Sequence, residues 1–288
     1  GDAGDPKFNA IPIENASQIE ILKGASSVLY GSGALNGIIA IREREPGTTP
    51  VTKLKVQYGI YDNPRRASLR WWDTNPMTQQ IEFYRSQMFK NVGYTISSTL
   101  FHDDGYKNRE FEFRGRVSGT FYYRPKKWSK VKAGISYNYQ VQKTGNFIIW
   151  ESDTLGYTPQ GGIDTSNAAS TLTYTLGQRL FIDPYVKIID KHNNRHSFKN
   201  RMYYVKNVIL GNESQNSIAT IYNNDYQFQK SYANGLTLTS GASSLYNVVI
   251  AELFGSHTSW NSAIFTQIEH HIGKFDFTAG LRLEYFEM

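Results

Sequence analysis

His192 and His196 stand four residues apart, a spacing at which two imidazoles on one helix face can hold a metal ion. The residues between them, Asn193-Asn194-Arg195, are polar turn sequence, and no HExxH motif accompanies them. A solvated turn is the simpler reading. His270-His271 fall on opposite faces of one extended run, so they cannot converge on one ion. Asp103-Asp104-Gly105 is too short for a calcium loop and reads as turn chemistry. Gly31-Ser32-Gly33-Ala34-Leu35-Asn36-Gly37 offers glycines that could cradle a phosphate. Its spacing is GxGxxxG, however, and no Lys-Ser/Thr follows, so it fits neither nucleotide-binding pattern. The chain has no cysteine, which removes thiolate metal sites, disulfides and Cys nucleophiles together. No Ser-His-Asp order or carboxylate pair stands out. The sequence therefore predicts no enzyme, no cofactor and no metal site.

The elements that would position any site are strands. The chain has 288 residues, 31 Lys+Arg, 25 Asp+Glu and 41 aromatic residues, with 19% charged. Mean hydropathy is −0.48, and no stretch approaches the ~18 uncharged apolar residues of a spanning helix. A spanning β-structure is still allowed, because alternation dilutes its apolar residues. The start, Gly1-Asp2-Ala3-Gly4-Asp5, is acidic and lacks the apolar core of a signal peptide.

Residues 1–50 carry four basic and six acidic side chains, whereas the remaining 238 carry 27 and 19. Pro46, Gly47 and Pro50 mark a break between the two parts. Beyond it, period-2 alternation dominates. Val131, Ala133, Ile135, Tyr137, Tyr139 and Val141 alternate with Lys132, Gly134, Ser136, Asn138 and Gln140. Phe111, Phe113, Val117, Phe121 and Tyr123 alternate with Glu112, Arg114, Arg116, Ser118, Thr120 and Tyr122. Such runs exceed the ~5–6 residues of an ordinary strand and match the ~9–11 that cross a bilayer.

About eleven strands are expected, near 51–60, 65–89 (one or two pieces), 93–102, 110–124, 130–143, 179–190, 195–207, 217–229, 235–247, 258–272 and 275–288. Short linkers alternate with longer ones at 61–64, 103–109, 144–178, 208–216 and 248–257, as in outer-membrane barrels. Trp71, Trp72, Trp128 and Trp260 fall near strand ends, where interface girdles place tryptophan. The fold class is all-β, an antiparallel meander. Alternation alone leaves open whether the apolar face meets lipid or a second sheet.

Ile19-Glu20-Ile21-Leu22-Lys23-Gly24-Ala25-Ser26-Ser27-Val28-Leu29-Tyr30-Gly31-Ser32-Gly33-Ala34-Leu35-Asn36-Gly37-Ile38-Ile39-Ala40-Ile41 closely resembles the end of the plug domain of TonB-dependent outer-membrane receptors. The family usually has Pro where Ala25 stands and often Gly where Asn36 stands. Tyr58 to Arg66, with Trp71-Trp72-Asp73, more weakly resembles the first barrel hairpin of Bacteroidetes-type receptors. The motif makes physical sense as two short strands joined by glycine-rich turns, with Gly24, Gly31, Gly33 and Gly37 permitting positive φ or close backbone approach. Tyr30 and Asn36 belong to the same motif. Ile38-Ile39-Ala40-Ile41, apolar on both faces, reads as a buried strand.

The resemblance implies a plug portion over residues 1–50 and the N-terminal portion of a transmembrane β-barrel over 51–288. It implies a bacterial outer-membrane transporter that takes up a scarce ligand by energised plug movement. Receptors of this type are ~22-stranded, so eleven strands make about half a barrel. The plug parts that engage TonB, the remaining strands and the terminal aromatic residue would lie outside this chain. The inward set would include Lys132, Ser136, Gln140, Arg114, Arg116 and Arg282. Phe147, Trp150 and Tyr157 in the 144–178 loop are the candidate ligand-binding residues, because exposed aromatics stack on sugars or chelate rings. They would equally serve to fold the loop onto itself.

Ferric chelate, glycan, peptide and cobalamin remain open as ligands. Expected partners are the TonB complex, a nutrient ligand and outer-membrane lipid. The basic cluster Arg124, Lys126, Lys127 and Lys130 reads as a periplasmic turn or a lipid headgroup contact, so no nucleic acid is expected. Open sheet edges also predict self-association of the piece, or its rearrangement in water. The alternative reading is a soluble β-structured binding or adhesion module.

Overall fold

The structure, a computed structural model, describes residues 11–23, 27–31, 37–128 and 130–288. Gly24, Gly33 and Asn36 of the glycine motif lie outside the described residues. Two sheets form. The smaller pairs β1 (Ala16–Lys23) with β2 (Gly37–Glu43), antiparallel, so that Ile19 faces Ile41 and Lys23 faces Gly37. Between them Ser27–Tyr30 makes a single helical turn, α1, ahead of Gly31 at φ +85°. Gly37 has φ +125°, and a Cβ there would collide with the Leu22 carbonyl. Glycine is required at this position by both backbone and space.

The larger sheet is an eleven-stranded antiparallel meander in strict chain order. Its members are β3 (Val51–Ile60), β4 (Met77–Phe89), β5 (Val92–Asp103), β6 (Phe111–Tyr123), β7 (Val131–Asn146), β8 (Thr173–Ile189), β9 (Arg195–Leu210), β10 (Ser217–Ser231), β11 (Leu236–Ala251), β12 (Gly255–Ile272) and β13 (Phe275–Glu287). Strands of 10 to 18 residues are long for a globular sheet and suited to crossing a bilayer at a tilt.

Several boundaries differ from the alternation pattern. Residues 61–76 form a loop with one 3-10 turn at Ala67–Leu69, where the sequence predicts strand from 65. Arg70 holds this loop, its guanidinium donating to the Trp72 and Asp73 carbonyls at 2.9 and 3.0 Å. The connection between β11 and β12 shrinks to 252–254, because β-branched and aromatic residues on both sides extend the ladder. The longest loop is 147–172, trimmed at both ends by β7 and β8.

The two faces of the large sheet are reversed from those of a water-soluble protein. On β5 to β7 the apolar positions point outward: Leu100 is 56% exposed, Val117 43% and Phe121 51%. The polar positions point inward and are buried, with Ser97 and Gln140 fully inaccessible. Buried hydroxyls satisfy one another, as they must away from water. Ser97 and Ser118 lie 2.9 Å apart, as do Thr120 and Ser136, and the Thr120 N–H donates to Thr95 Oγ1 at 3.0 Å. A sandwich facing water would bury Leu100 and expose Ser97. This sheet does the opposite, as the wall of a polar-filled barrel does.

Pro184 interrupts one ladder. Ile182 pairs with Met202 and Tyr185 with Lys199, but nothing pairs at Asp183 and Pro184 on the β9 side. Proline has no N–H to give there. The Arg201 Nε donates to both Asp183 oxygens, at 2.9 and 3.1 Å, and spans the gap with side chains.

Candidate functional site

Two constellations could carry function: a polar seam beneath the N-terminal element and an aromatic group among the long loops. The seam follows β6. Its inward residues at 116, 118, 120 and 122, and Arg124 just past its end, each meet the N-terminal element in turn. Arg116 donates to the Glu14 carboxylate from Nε at 3.0 Å and Nη2 at 2.8 Å, and Thr99 adds a 3.3 Å bond to the same carboxylate. The Asn15 amide donates to Ser118 Oγ at 3.2 Å. Glu43 accepts from Ser136 at 2.9 Å and from Thr120. The Tyr122 hydroxyl donates to the Arg44 carbonyl at 3.1 Å. Glu45 pairs with both Arg124 and Lys132.

This regularity has a simple origin. An antiparallel strand presents alternate residues to one face at about 6.6–6.8 Å intervals. The turn Ile13–Asn15 and the end of β2 lie side by side, joined by the Arg44 N–H to the Asn15 carbonyl at 2.8 Å. Together they offer three carboxylates in a row to a wall rich in Arg, Lys and hydroxyls. The Glu14–Arg116 pair is desolvated, with side chains 7% and 6% exposed. Glu45 lies at the wetter end. Burial pushes its carboxyl upward, but the Lys132 bond and the charges of Lys132, Arg124 and Lys187 prevail and hold it below the ordinary value.

A second contact anchors α1. Val28 packs against Gly280, where an added Cβ would sit 2.8 Å from Val28 Cγ1. Arg282 reaches the Val28 carbonyl at 3.4 Å and Ser243 at 3.1 Å while pairing with Glu284. All six residues of the predicted inward set, from Arg114 to Arg282, thus lie on the face that meets the N-terminal element or among its neighbours.

The small sheet itself departs from expectation. Ile39 is half exposed, although Ile38 to Ile41 reads as a buried strand, and Ile19 and Ile21 of β1 are also half or more exposed. Among the described residues β2 pairs only with β1. Tyr30 is likewise exposed.

At the other end, aromatic rings link three loops. Tyr61 and Tyr106 lie 5.6 Å apart, Trp72 and Tyr106 5.4 Å, Tyr106 and Tyr157 5.1 Å, and Trp150 and Tyr157 6.3 Å. The Trp71 indole donates to the Tyr106 carbonyl at 2.9 Å. The Tyr61 hydroxyl sits 3.0 Å from each Asp103 oxygen, and burial together with that carboxylate raises its pKa to about 12.

Of the three loop residues named from sequence, Phe147 is only 2% exposed. Its ring lies under Lys107 Nζ at 4.7 Å, so it braces the loop and offers no face to a ligand. Tyr157 adopts φ +66° and its carbonyl accepts from Asn108 at 2.7 Å. Trp150 is half exposed on a small hairpin, beside Ile148, which is 89% exposed. Trp71, Trp72, Tyr61 and Tyr106 complete the group. Their clustering at strand ends was the sequence signal that could have found them.

The metal-like spacings resolve into turns. Asp190 accepts from the backbone N–H of His192 and Asn194, and His196 Nδ1 lies 2.9 Å from the Tyr226 hydroxyl. Asp103 accepts from the Gly105 N–H and Asp104 from the Met77 N–H. Among the described residues no group of three His, Cys, Asp or Glu side chains could hold an ion.

Comparison with known proteins shows what this geometry is similar to. Residues 1–38 match the TonB-dependent Receptor Plug Domain. No curated protein matches the chain. Among solved structures, the siderophore receptor PirA from Pseudomonas aeruginosa superposes with a TM-score of 0.75 at 15% identity, covering 99% of this chain and 46% of that one. A variant of the ferric enterobactin receptor PfeA from the same organism gives 0.73 at 12%, covering 98% and 46%. The ferric-catecholate import receptor Fiu from E. coli gives 0.70 at 12%, covering 95% and 50%. The chain therefore carries sequence similar to the plug domain of TonB-dependent receptors at its start, followed by a sheet with the fold of the barrels in those structures. It spans about half the length of the structures it matches.

Proposed function

We propose that this chain belongs to an outer-membrane transporter, in which the element before residue 50 is the end of the plug and the strands from Val51 onward are barrel wall. The observation that carries the reading is the reversed sheet: apolar residues outward, polar residues inward, and three carboxylates of the N-terminal element seated on the polar side. Lipid would cover Leu100, Val117 and Phe121, and the plug would fill the polar lumen. Energy delivered through TonB would have to loosen the seam along β6 for a ligand to pass.

The ligand would arrive at the long-loop end, where Trp150 and Tyr157 present aromatic surface. Ferric chelates head the candidates, because the siderophore, ferric enterobactin and ferric-catecholate receptors share this fold. Glycans are the second reading, favoured by the half-exposed Trp150, since indole faces stack on sugar rings. Growth of a strain lacking the full-length gene, on a panel of ferric chelates and glycans as sole iron or carbon sources, tests the reading. Loss of growth on one ligand, restored by the intact gene and not by a Trp150→Ala variant, supports it. Growth unchanged on every member, with the protein absent from the outer membrane of the wild type, would overturn it.

A further inference from the structure

We propose that the inner face of β6, β7 and β8 is an anion track, a cationic lining that selects for anions once the N-terminal element withdraws. The inference rests on the reading of the N-terminal element as a plug that withdraws. Along these three strands the inner face presents Arg114, Arg116, Lys132, Arg179 and Lys187, with Arg124 just past the end of β6. The acidic residues on the same face are Glu112, which pairs with Arg114 Nη1 at 2.6 Å, and Asp183, which is engaged by Arg201.

The basic residues fall into two stations. Register places Arg116, Gln140 and Arg179 in one row across β6, β7 and β8, with Arg114 one step nearer the long loops. Lys132 and Lys187 form a second row at the short-turn end, beside Arg124. Arg124 lies eight positions beyond Arg116, about 26 Å of extended chain. Between the stations lie hydroxyl donors, Thr120 and Ser136.

Each part of this track already holds a carboxylate. Glu14 sits at the upper station, Glu43 on the hydroxyls and Glu45 at the lower station. The plug carboxylates therefore stand where the oxygens of a passing anion would bind. At the upper station Arg114 has a spare buried donor, its Nε having no hydrogen-bond partner. When the three carboxylates leave together, the wall keeps a surplus of cationic groups in a cleft walled by low-dielectric strands. Such a cleft concentrates anions and repels cations. A neutral solute would gain nothing from it.

The test is ion selectivity of the full-length receptor in a planar bilayer, with the plug loosened reversibly by urea and a KCl gradient across the membrane. Two double variants are compared with the wild type: Lys132→Gln with Lys187→Gln, and Arg116→Gln with Arg179→Gln. The first leaves the desolvated Glu14–Arg116 pair intact, so its folding does not depend on that pair. The expected result is an open channel whose chloride-to-potassium permeability ratio falls by about twofold or more in each variant. An open channel with the same reversal potential in wild type and both variants would overturn the anion track while leaving the plug reading standing. A receptor that opens no channel at any urea concentration overturns the plug reading, and the track with it.

Discussion

Glu14 and Arg116, 102 residues apart in sequence, form a two-pronged ion pair that is nearly closed to solvent. Removing one partner of a desolvated pair leaves a charge without compensation, at a cost of about 3–5 kcal/mol. Glu14→Ala should therefore unseat the N-terminal element, whereas Glu14→Gln, which keeps an acceptor for Arg116, should do so less. Limited proteolysis of the full-length receptor, read as cleavage between residues 1 and 50, measures the difference. Equal protection of wild type and Glu14→Ala would show that the pair does not seat the element.

Glu45 gives the same seam a pH dependence. Its folded pKa lies below the unfolded value of 4.5, so the stabilisation is fully present above that value. It disappears as pH falls through the lower, folded pKa. Protection of the 44–50 segment should thus drop between neutral and strongly acidic pH, and Glu45→Gln should flatten that part of the profile. Hydrogen exchange on this segment checks it.

Tyr61 works in the opposite sense. Its phenol pKa of about 12 exceeds the ordinary 10, so its contribution is present below pH 10 and lost as pH rises through about 12. Difference titration at the phenolate absorbance, wild type minus Tyr61→Phe, should show one tyrosine ionising near the upper value. A difference centred on 10 would mean that the Asp103 contact does not form.

Gly37→Ala should destabilise the β1–β2 pair by about 1–3 kcal/mol, since alanine is strained at φ +125° and its Cβ meets the Leu22 carbonyl. Faster amide exchange over 16–23 and 37–43, with β5 to β7 unchanged, is the expected signature.

The wall was legible in the sequence because its signal is local. Alternation along 111–123 and 131–141 survives intact in β6 and β7, since each residue's face is set by its own strand. The 65–76 segment differs because Trp71-Trp72 and neighbouring apolar residues look like strand, while the tertiary contacts to Tyr106 hold them in a loop that Arg70 closes locally. The seam was illegible for the same reason. Nothing near Glu14 announces that its partner stands on β6, because only the completed register brings alternate β6 residues under the N-terminal element. Phe147 and Trp150 show the limit within one loop: both are aromatic and three residues apart, yet one is a brace and the other is exposed.

The reversed sheet is tested most directly by single nitroxide labels. Labels at Val117, Phe121, Ile135 and Tyr139 are compared with labels at Ser118 and Asn138 in the full-length receptor reconstituted in vesicles. Collision with lipid-dissolved oxygen should be high at the first four positions, and collision with an aqueous nickel complex low, with the two inward sites shielded from oxygen. Oxygen contact that fails to alternate along β6 and β7, or that is greatest at Ser118 and Asn138, would contradict a lipid-facing wall.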